Sequence, residues 1–274
     1  MTNHICFIGG GNMASSLISG LINNQYPSNK ITVTDPDKLK LEQLKQQFSI
    51  NVETDNLKAV ECADVLVLAV KPQILKNVCD NIKDITQKTK PLIISIAAGI
   101  RSTDIERWLG GSHALVRCMP NTPALIQAGA TGLFANSNTS SEQINIADQI
   151  LRSAGITLWV DNEPQLDAVT AVSGSGPAYF FLFLEAMQAA GTQLGLDEET
   201  SALLAKQTAL GAARMALEGE DDPATLRAKV TSKGGTTAAA IASFEDNNFS
   251  HIINQALTAA HDRAIDLADE LGKS

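Results

Sequence analysis

The chain has 274 residues, 44% of them hydrophobic and 19% charged, with a formal net charge of -9 at pH 7. This is ordinary globular composition, and the length suits one large or two modest domains at roughly 100–200 residues each. The acidic balance excludes nucleic acid and anionic membrane as partners, because a phosphate backbone needs a basic footprint; small anionic ligands are not excluded, since local backbone amides hold them whatever the global charge.

The N-terminus runs directly into a strand, Ile5 to Ile8, which leaves no room for a signal peptide. Gly9-Gly10-Gly11 follows, and Asn12 to Asn23 has helical spacing. Lys30 to Asp35 reads as a strand and Pro36 to Phe48 as a polar-faced helix. Asp64 to Val70 is apolar on consecutive positions, so both faces should be buried, as in a parallel sheet. Pro91 to Ile96 repeats that character, and His113 to Cys118, Gly129 to Ala135 and Ile156 to Val160 are further strands. Strands separated by helical segments imply right-handed crossovers and a doubly wound α/β sheet.

The pattern changes after Asp161-Asn162-Glu163-Pro164. From Gln165 onward there are long alanine-rich helical stretches and no strand, which puts the expected domain boundary at residues 162/163, an α/β domain over 1–162 and an all-α domain over 163–274. Tyr179 to Leu184 is apolar almost all round, and so small a helical domain cannot bury such a helix alone. A second subunit is expected to cover it, giving a dimer or higher homo-oligomer. No apolar run reaches the roughly 18 residues that span a bilayer, so no membrane is expected. Cys6, Cys62, Cys79 and Cys118 show no metal-ligand spacing, so no metal is expected; buried reduced thiols and a cytoplasmic location are.

Gly9, Gly11 and Ala14 fit the GxGxxG/A pattern, between a strand and a helix, where a pyrophosphate can rest on the helix N-terminus. The first domain is therefore expected to be a Rossmann-type dinucleotide-binding domain. Asp35, ending the second strand, is placed to accept from ribose hydroxyls, which favours NADH. Thr34, Lys38 and Lys40 supply a phosphate donor and positive charge, which favour NADPH. A turn-capping Asp35 ahead of Pro36 is the purely structural alternative. In the helical half, Gly174, Gly176 and Pro177 interrupt the pattern, either as a helix break or as a close approach only glycine permits. Ser232-Lys233-Gly234-Gly235-Thr236-Thr237 opens a helix at Ala238 and has the make-up of an anion site; a plain N-cap would need only one Ser or Thr.

Five segments carry a family resemblance: Ala69-Val70-Lys71-Pro72, Ser95-Ile96-Ala97-Ala98-Gly99, Arg117-Cys118-Met119-Pro120-Asn121-Thr122-Pro123, Ser173-Gly174-Ser175-Gly176-Pro177-Ala178-Tyr179, and Val230 to Thr237. Together with the glycine-rich turn they resemble pyrroline-5-carboxylate reductases across nearly the whole chain. The resemblance implies reduction of 1-pyrroline-5-carboxylate to L-proline, the last step of proline biosynthesis, with NADPH as the expected cofactor and NADH as an alternative. It implies that Ile8, Gly9, Gly10, Gly11, Asn12, Met13, Thr34, Asn56, Ala69, Val70, Lys71, Pro72, Ser95, Ile96 and Ala97 line the dinucleotide, beside Asp35, a candidate from its strand-end position alone. It further implies that Ser232, Gly234, Gly235, Thr236 and Thr237 hold the substrate carboxylate, that Thr237 reaches the ring nitrogen as the catalytic residue, and that Glu220 lies near the substrate from a neighbouring subunit. One departure is Lys233, where many relatives have proline.

Hydride transfer to a protonated imine asks for positioning more than for a strong acid. That agrees with the absence of His or a Cys–His pair from these segments; His4, His113, His251 and His261 are dispersed. Lys71 reads as a cofactor contact, and Met119 to Pro123 as either a wall of the nicotinamide pocket or a structural turn. A β-hydroxyacid dehydrogenase would need a lysine acid in the interdomain helix, and no Lys occurs between Gln165 and Lys206. A dinucleotide sensor would have no use for a second anion site.

Overall fold

The structure, a computed structural model, describes residues 2 to 273. The elements run β1 (Ile5–Ile8), α1 (Asn12–Asn23), β2 (Ile31–Thr34), α2 (Lys38–Phe48), β3 (Asn51–Glu53), α3 (Asn56–Glu61), β4 (Val65–Leu68), α4 (Pro72–Thr89), β5 (Leu92–Ser95), α5 (Ser102–Trp108), β6 (Leu115–Met119), β7 (Gly129–Ala135), α6 (Ser141–Arg152) and β8 (Gly155–Trp159). Then come α7 (Gln165–Val169), α8 (Gly176–Gln193), α9 (Glu198–Glu218), α10 (Pro223–Lys229), α11 (Thr236–Asp246) and α12 (Phe249–Gly272).

The eight strands form one sheet in the order β3-β2-β1-β4-β5-β6-β7-β8. The first six are parallel and doubly wound, with the chain reversing direction across the sheet between β1 and β4. Consecutive apolar residues in the central strands are explained by two separate cores. Phe7, Val33, Val67 and Ile94 face one side and pack with Leu17, Ile18 and Leu21 of α1 and Leu44 of α2. Their neighbours Cys6, Ile8, Leu66 and Ile93 face the other, against Leu75, Cys79 and Ile82 of α4 and Ile105 of α5. Each such side chain contributes about 1.5–3 kcal/mol by leaving water.

Two features depart from the sequence reading. β3, for which the reading names no residues, is a three-residue edge strand whose residues are exposed or half-buried, so it carries no apolar signal. β7 pairs antiparallel to β6, because the chain turns back through a 3-10 turn at Thr122–Ile126 without a crossover helix. Asn121 holds that turn, its amide donating to Ser173 O at 3.0 Å and its carbonyl accepting from Ala130 N at 2.9 Å. The expectation of four buried thiols holds for Cys6, Cys79 and Cys118 but not for Cys62, which is exposed. Burial pushes the Cys6 and Cys79 thiols up to about 12, so they are inert at neutral pH.

The chain folds as two compact units, one running to Ser175 and resuming at Ala260, the other Gly176–Ala259. The change from strand to helix falls earlier, after β8, because α7 and the π-helical turn Thr170–Gly174 belong with the sheet. Gly174 packs under Met119: a Cβ there would lie 2.5 Å from the Met119 methyl, which would have to swing aside. Pro177 sits in the first turn of α8, where its missing N–H costs nothing. In the second unit α8 and α9 approach closely at Gly191 and Ser201, whose hydroxyl donates to Gln188 O at 2.7 Å. Phe183, Phe244 and Phe249 form a row of tilted rings. Within one chain, however, α8 is not covered: Phe180 is 69% exposed, and Phe181 and Leu182 are similarly bare. Among the described residues no helix is long and apolar enough to cross a membrane.

An ion cluster fastens α7 to the sheet. Arg117 of β6, its side chain 5% exposed, donates to Glu163 at 3.1 Å, while Glu163 also accepts from Ser102 N–H and Ser102 Oγ, both at 2.6 Å. Glu163 thus caps α5 and neutralises a buried guanidinium at once. Asp167 lies 3.9 Å from the same guanidinium. Replacing Glu163 with alanine strands that charge and should lower unfolding stability by about 3–5 kcal/mol; urea unfolding of E163A measures it, and a loss below about 1 kcal/mol would show that Asp167 takes over the pairing.

Candidate active site

The glycine-rich turn sits where the sheet reverses, at the C-terminal ends of β1 and β4. Gly9 donates to Thr34 O at 2.8 Å and has φ +102°; a Cβ there would lie 2.5 Å from Ala69 O, so only glycine fits. Gly11 differs in kind. It is the N-cap of α1 with an ordinary extended backbone, φ -75° and ψ -179°, and a Cβ would meet nothing within 4 Å. Neither backbone strain nor packing demands glycine at that position. The open space above it, at a helix N-terminus, is where a pyrophosphate needs close backbone approach.

That space opens into a groove of about 460 Å³, a size suited to a cofactor. Of the expected dinucleotide residues, Ile8, Gly9, Gly11, Thr34, Asp35, Asn56, Ala69, Val70 and Lys71 line it. Gly10 lies on its inner side against Leu44, and Asn12 and Met13 form the first turn of α1. Pro72 is the first residue of α4, capped by Lys71. Ser95, Ile96 and Ala97 leave β5 one strand further on, with Ile96 N–H donating to Leu68 O at 3.2 Å.

The end of β2 is the most heavily bonded part of the groove. Asp35 is 8% exposed, so it is buried, and it does cap the turn at Pro36. Its Oδ1 accepts from Asp37 N–H at 3.0 Å; its Oδ2 accepts from Gly10 N–H at 3.0 Å and from Lys40 Nζ at 2.9 Å. Burial alone would raise its pKa, but the two backbone N–H groups and Lys40 outweigh burial and hold the carboxyl below the ordinary range. Thr34 Oγ1 donates to Asn56 Oδ1 at 2.6 Å and joins the end of β2 to the start of α3. Lys40, weighed from the sequence as a source of positive charge, lines the groove; Pro36, Thr54, Ile74 and Val78 also line it and were not among the expected contacts. Lys40 had a signal: Asp37 is an N-cap three residues before it, which aims the first turn of α2 back at the strand end.

The expected substrate loop belongs to the second unit. Gly234 makes its turn with φ +74°, and Gly235 N–H donates to Ser232 O at 3.1 Å. Gly235 is the N-cap of α11, and no side chain caps the helix; Thr236 and Thr237 are its first two residues. Five helices are capped by side chains: α2, α3, α6, α9 and α10 start behind Asp37, Asp55, Ser140, Asp197 and Asp222, each accepting a backbone N–H, whereas α4 and α7 start behind Lys71 and Pro164 with no side-chain cap. At α1 and α11 the N-caps are glycines, and the first-turn N–H groups are left without intrahelical partners. Ser232, Lys233, Thr236 and Glu220 are exposed, and Thr237 is half-buried. Two of the dispersed histidines have partners of their own: His4 pairs with Thr32 and His113 with Gln87.

The family model described as pyrroline-5-carboxylate reductase dimerisation matches residues 163–267. A model described as NADP oxidoreductase coenzyme F420-dependent matches residues 4–99. The pyrroline-5-carboxylate reductase of Pseudomonas aeruginosa is 52% identical over 99% of both chains, and that of Pasteurella multocida 48% identical over 95% of this chain and 96% of its own. Among solved structures, the Coxiella burnetii pyrroline-5-carboxylate reductase superposes with a TM-score of 0.94 at 49% identity, covering 98% of this chain and 99% of its own. The Plasmodium falciparum enzyme, solved with NADP bound, gives 0.86 at 31% identity, covering 97% and 98%. Its full-length likeness to these relatives makes the chain a member of the pyrroline-5-carboxylate reductase family.

Proposed function

We propose that the chain reduces 1-pyrroline-5-carboxylate to L-proline with NADPH, NADH serving less well, and that it does so as a homodimer or larger homo-oligomer. The observation that carries this reading is the pair of glycine-capped, otherwise uncapped helix N-termini, α1 above the groove and α11 behind Ser232–Gly235. A helix N-terminus with free N–H groups is an anion site; one suits a pyrophosphate and the other a carboxylate. The matched dimerisation model and the bare apolar surface of α8 support self-association. Four free cysteines support a cytoplasmic setting.

Bound in the groove, the reduced dinucleotide supplies a hydride for the C=N carbon. The chain's own residues do the rest by positioning. Gly11 and the first turn of α1 take the pyrophosphate; Lys71, at the end of β4, and the segment Ser95–Ala97 bound the nicotinamide end. The N–H groups of Thr236 and Thr237, with the hydroxyls of Ser232 and Thr236, hold the substrate carboxylate. Thr237 Oγ1 hydrogen-bonds the ring nitrogen, where the proton of the product amine resides. Glu220 of a neighbouring subunit favours the cationic imine by its negative charge.

Oxidation of NADPH and of NADH, followed at 340 nm with and without 1-pyrroline-5-carboxylate, tests the reading; imine-dependent turnover with proline formed is expected, and NADPH binding without turnover would overturn it. In the same assay Thr237→Ala should lower kcat/KM for the imine on the order of a hundredfold, with the Kd for NADPH unchanged within about twofold. Equal losses in both would remove Thr237 from the substrate site.

A further inference from the structure

The charge pair at the end of β2 has an arrangement that bears on which dinucleotide the groove accepts. An acid at this point ordinarily selects the unphosphorylated cofactor by accepting from the ribose hydroxyls. Asp35 is poorly placed for that: both its oxygens are already engaged, by Asp37 N–H on one side and by Gly10 N–H and Lys40 on the other. Lys40, by contrast, is 39% exposed in its side chain and lines the groove. Its stem lies over the glycine-rich turn, where a Cβ on Gly10 would be 3.4 Å from Lys40 Cδ. Of the ammonium's three donors Asp35 takes one. The other cation lining the groove, Lys71, stands at the end of β4, across β1 from β2.

We propose that Lys40 is the residue that selects the 2′-phosphorylated dinucleotide, and that Asp35 is a positioning residue that holds the Lys40 ammonium at the lip of the groove. Asp35 ties three things together: the glycine-rich turn through Gly10, the start of α2 through Asp37, and the ammonium itself. Lys40 therefore meets a phosphate with an orientation already fixed, and with donors to spare. A dinucleotide lacking that phosphate finds a carboxylate that already accepts three hydrogen bonds and gains little at this end. The inference rests on the reading that this groove takes a nicotinamide dinucleotide.

Binding without substrate separates the two. Titration calorimetry of NADPH, NADH, 2′,5′-ADP and 5′-AMP on the wild type and on Lys40→Met and Lys40→Arg is the experiment. Lys40→Met keeps the aliphatic stem and should weaken NADPH and 2′,5′-ADP on the order of tenfold or more, and leave NADH and 5′-AMP within about twofold. Lys40→Arg should retain most of the preference. Added salt should erode the wild type's advantage for 2′,5′-ADP over 5′-AMP, and that slope should flatten in Lys40→Met. If the wild type binds both dinucleotides and Lys40→Met shifts them equally or not at all, the assignment of Lys40 is overturned while the groove's function stands. If the wild type binds neither dinucleotide, the reading of the groove fails and the inference with it.

Discussion

A helix begins with backbone N–H groups that the helix itself cannot satisfy, and the way this chain treats that constraint explains its organisation. Five helices start behind an Asp or Ser that accepts one of those groups, and α5 borrows Glu163 for the purpose. α1 and α11 instead have glycine caps, which offer no acceptor and leave space in front. A helix start whose cap is glycine, with space in front of it, is suited to an external anion. One glycine-capped start lies in each compact unit, α1 in the first and α11 in the second, and the proposed reaction has two anions to hold, a pyrophosphate and a carboxylate.

The sheet exists, in this view, to hold the first of those starts still. Side chains on alternate positions of β1, β4 and β5 enter two cores, so the strand ends cannot shift without disturbing helices on both faces. Gly9 is pressed against Ala69 O, and Asp35 clamps Gly10, so the turn is fixed by β4 on one side and by β2 on the other. The buried Arg117–Glu163 pair performs the same service at the far end of the sheet, where the chain leaves β8 and enters the helical half. Asp35 and the Arg117–Glu163 pair each join several elements at once, which is the condition under which a buried charge can repay its desolvation.

Much of this was legible in the residues. The apolar runs Asp64 to Val70 and Pro91 to Ile96 announced strands buried on both faces, and the GxGxxG/A turn announced the helix start above the groove. The loop from Ser232 to Thr237 stood out because it holds more hydroxyls and glycines than a cap requires. What stayed hidden has physical reasons. β3 is short and wet, so no periodicity marks it. β7 runs antiparallel because Asn121 pins a tight turn, a tertiary bond that no local pattern encodes. Asp35 has the sequence position of a ribose acceptor, but its partners Gly10 and Lys40 are brought to it by the fold. The bare surface of α8 shows the reverse case, in which the sequence pattern describes an assembly and one chain does not complete it.

The account turns on the two open helix starts, and amide hydrogen–deuterium exchange reads them directly. NADPH should slow exchange at residues 12–14 of α1, and adding L-proline should slow it at 236–238 of α11, while the side-chain-capped starts of α6 and α9 stay unchanged. Unaltered exchange at either open start in the presence of its ligand, or equal slowing at the capped ones, would contradict the account.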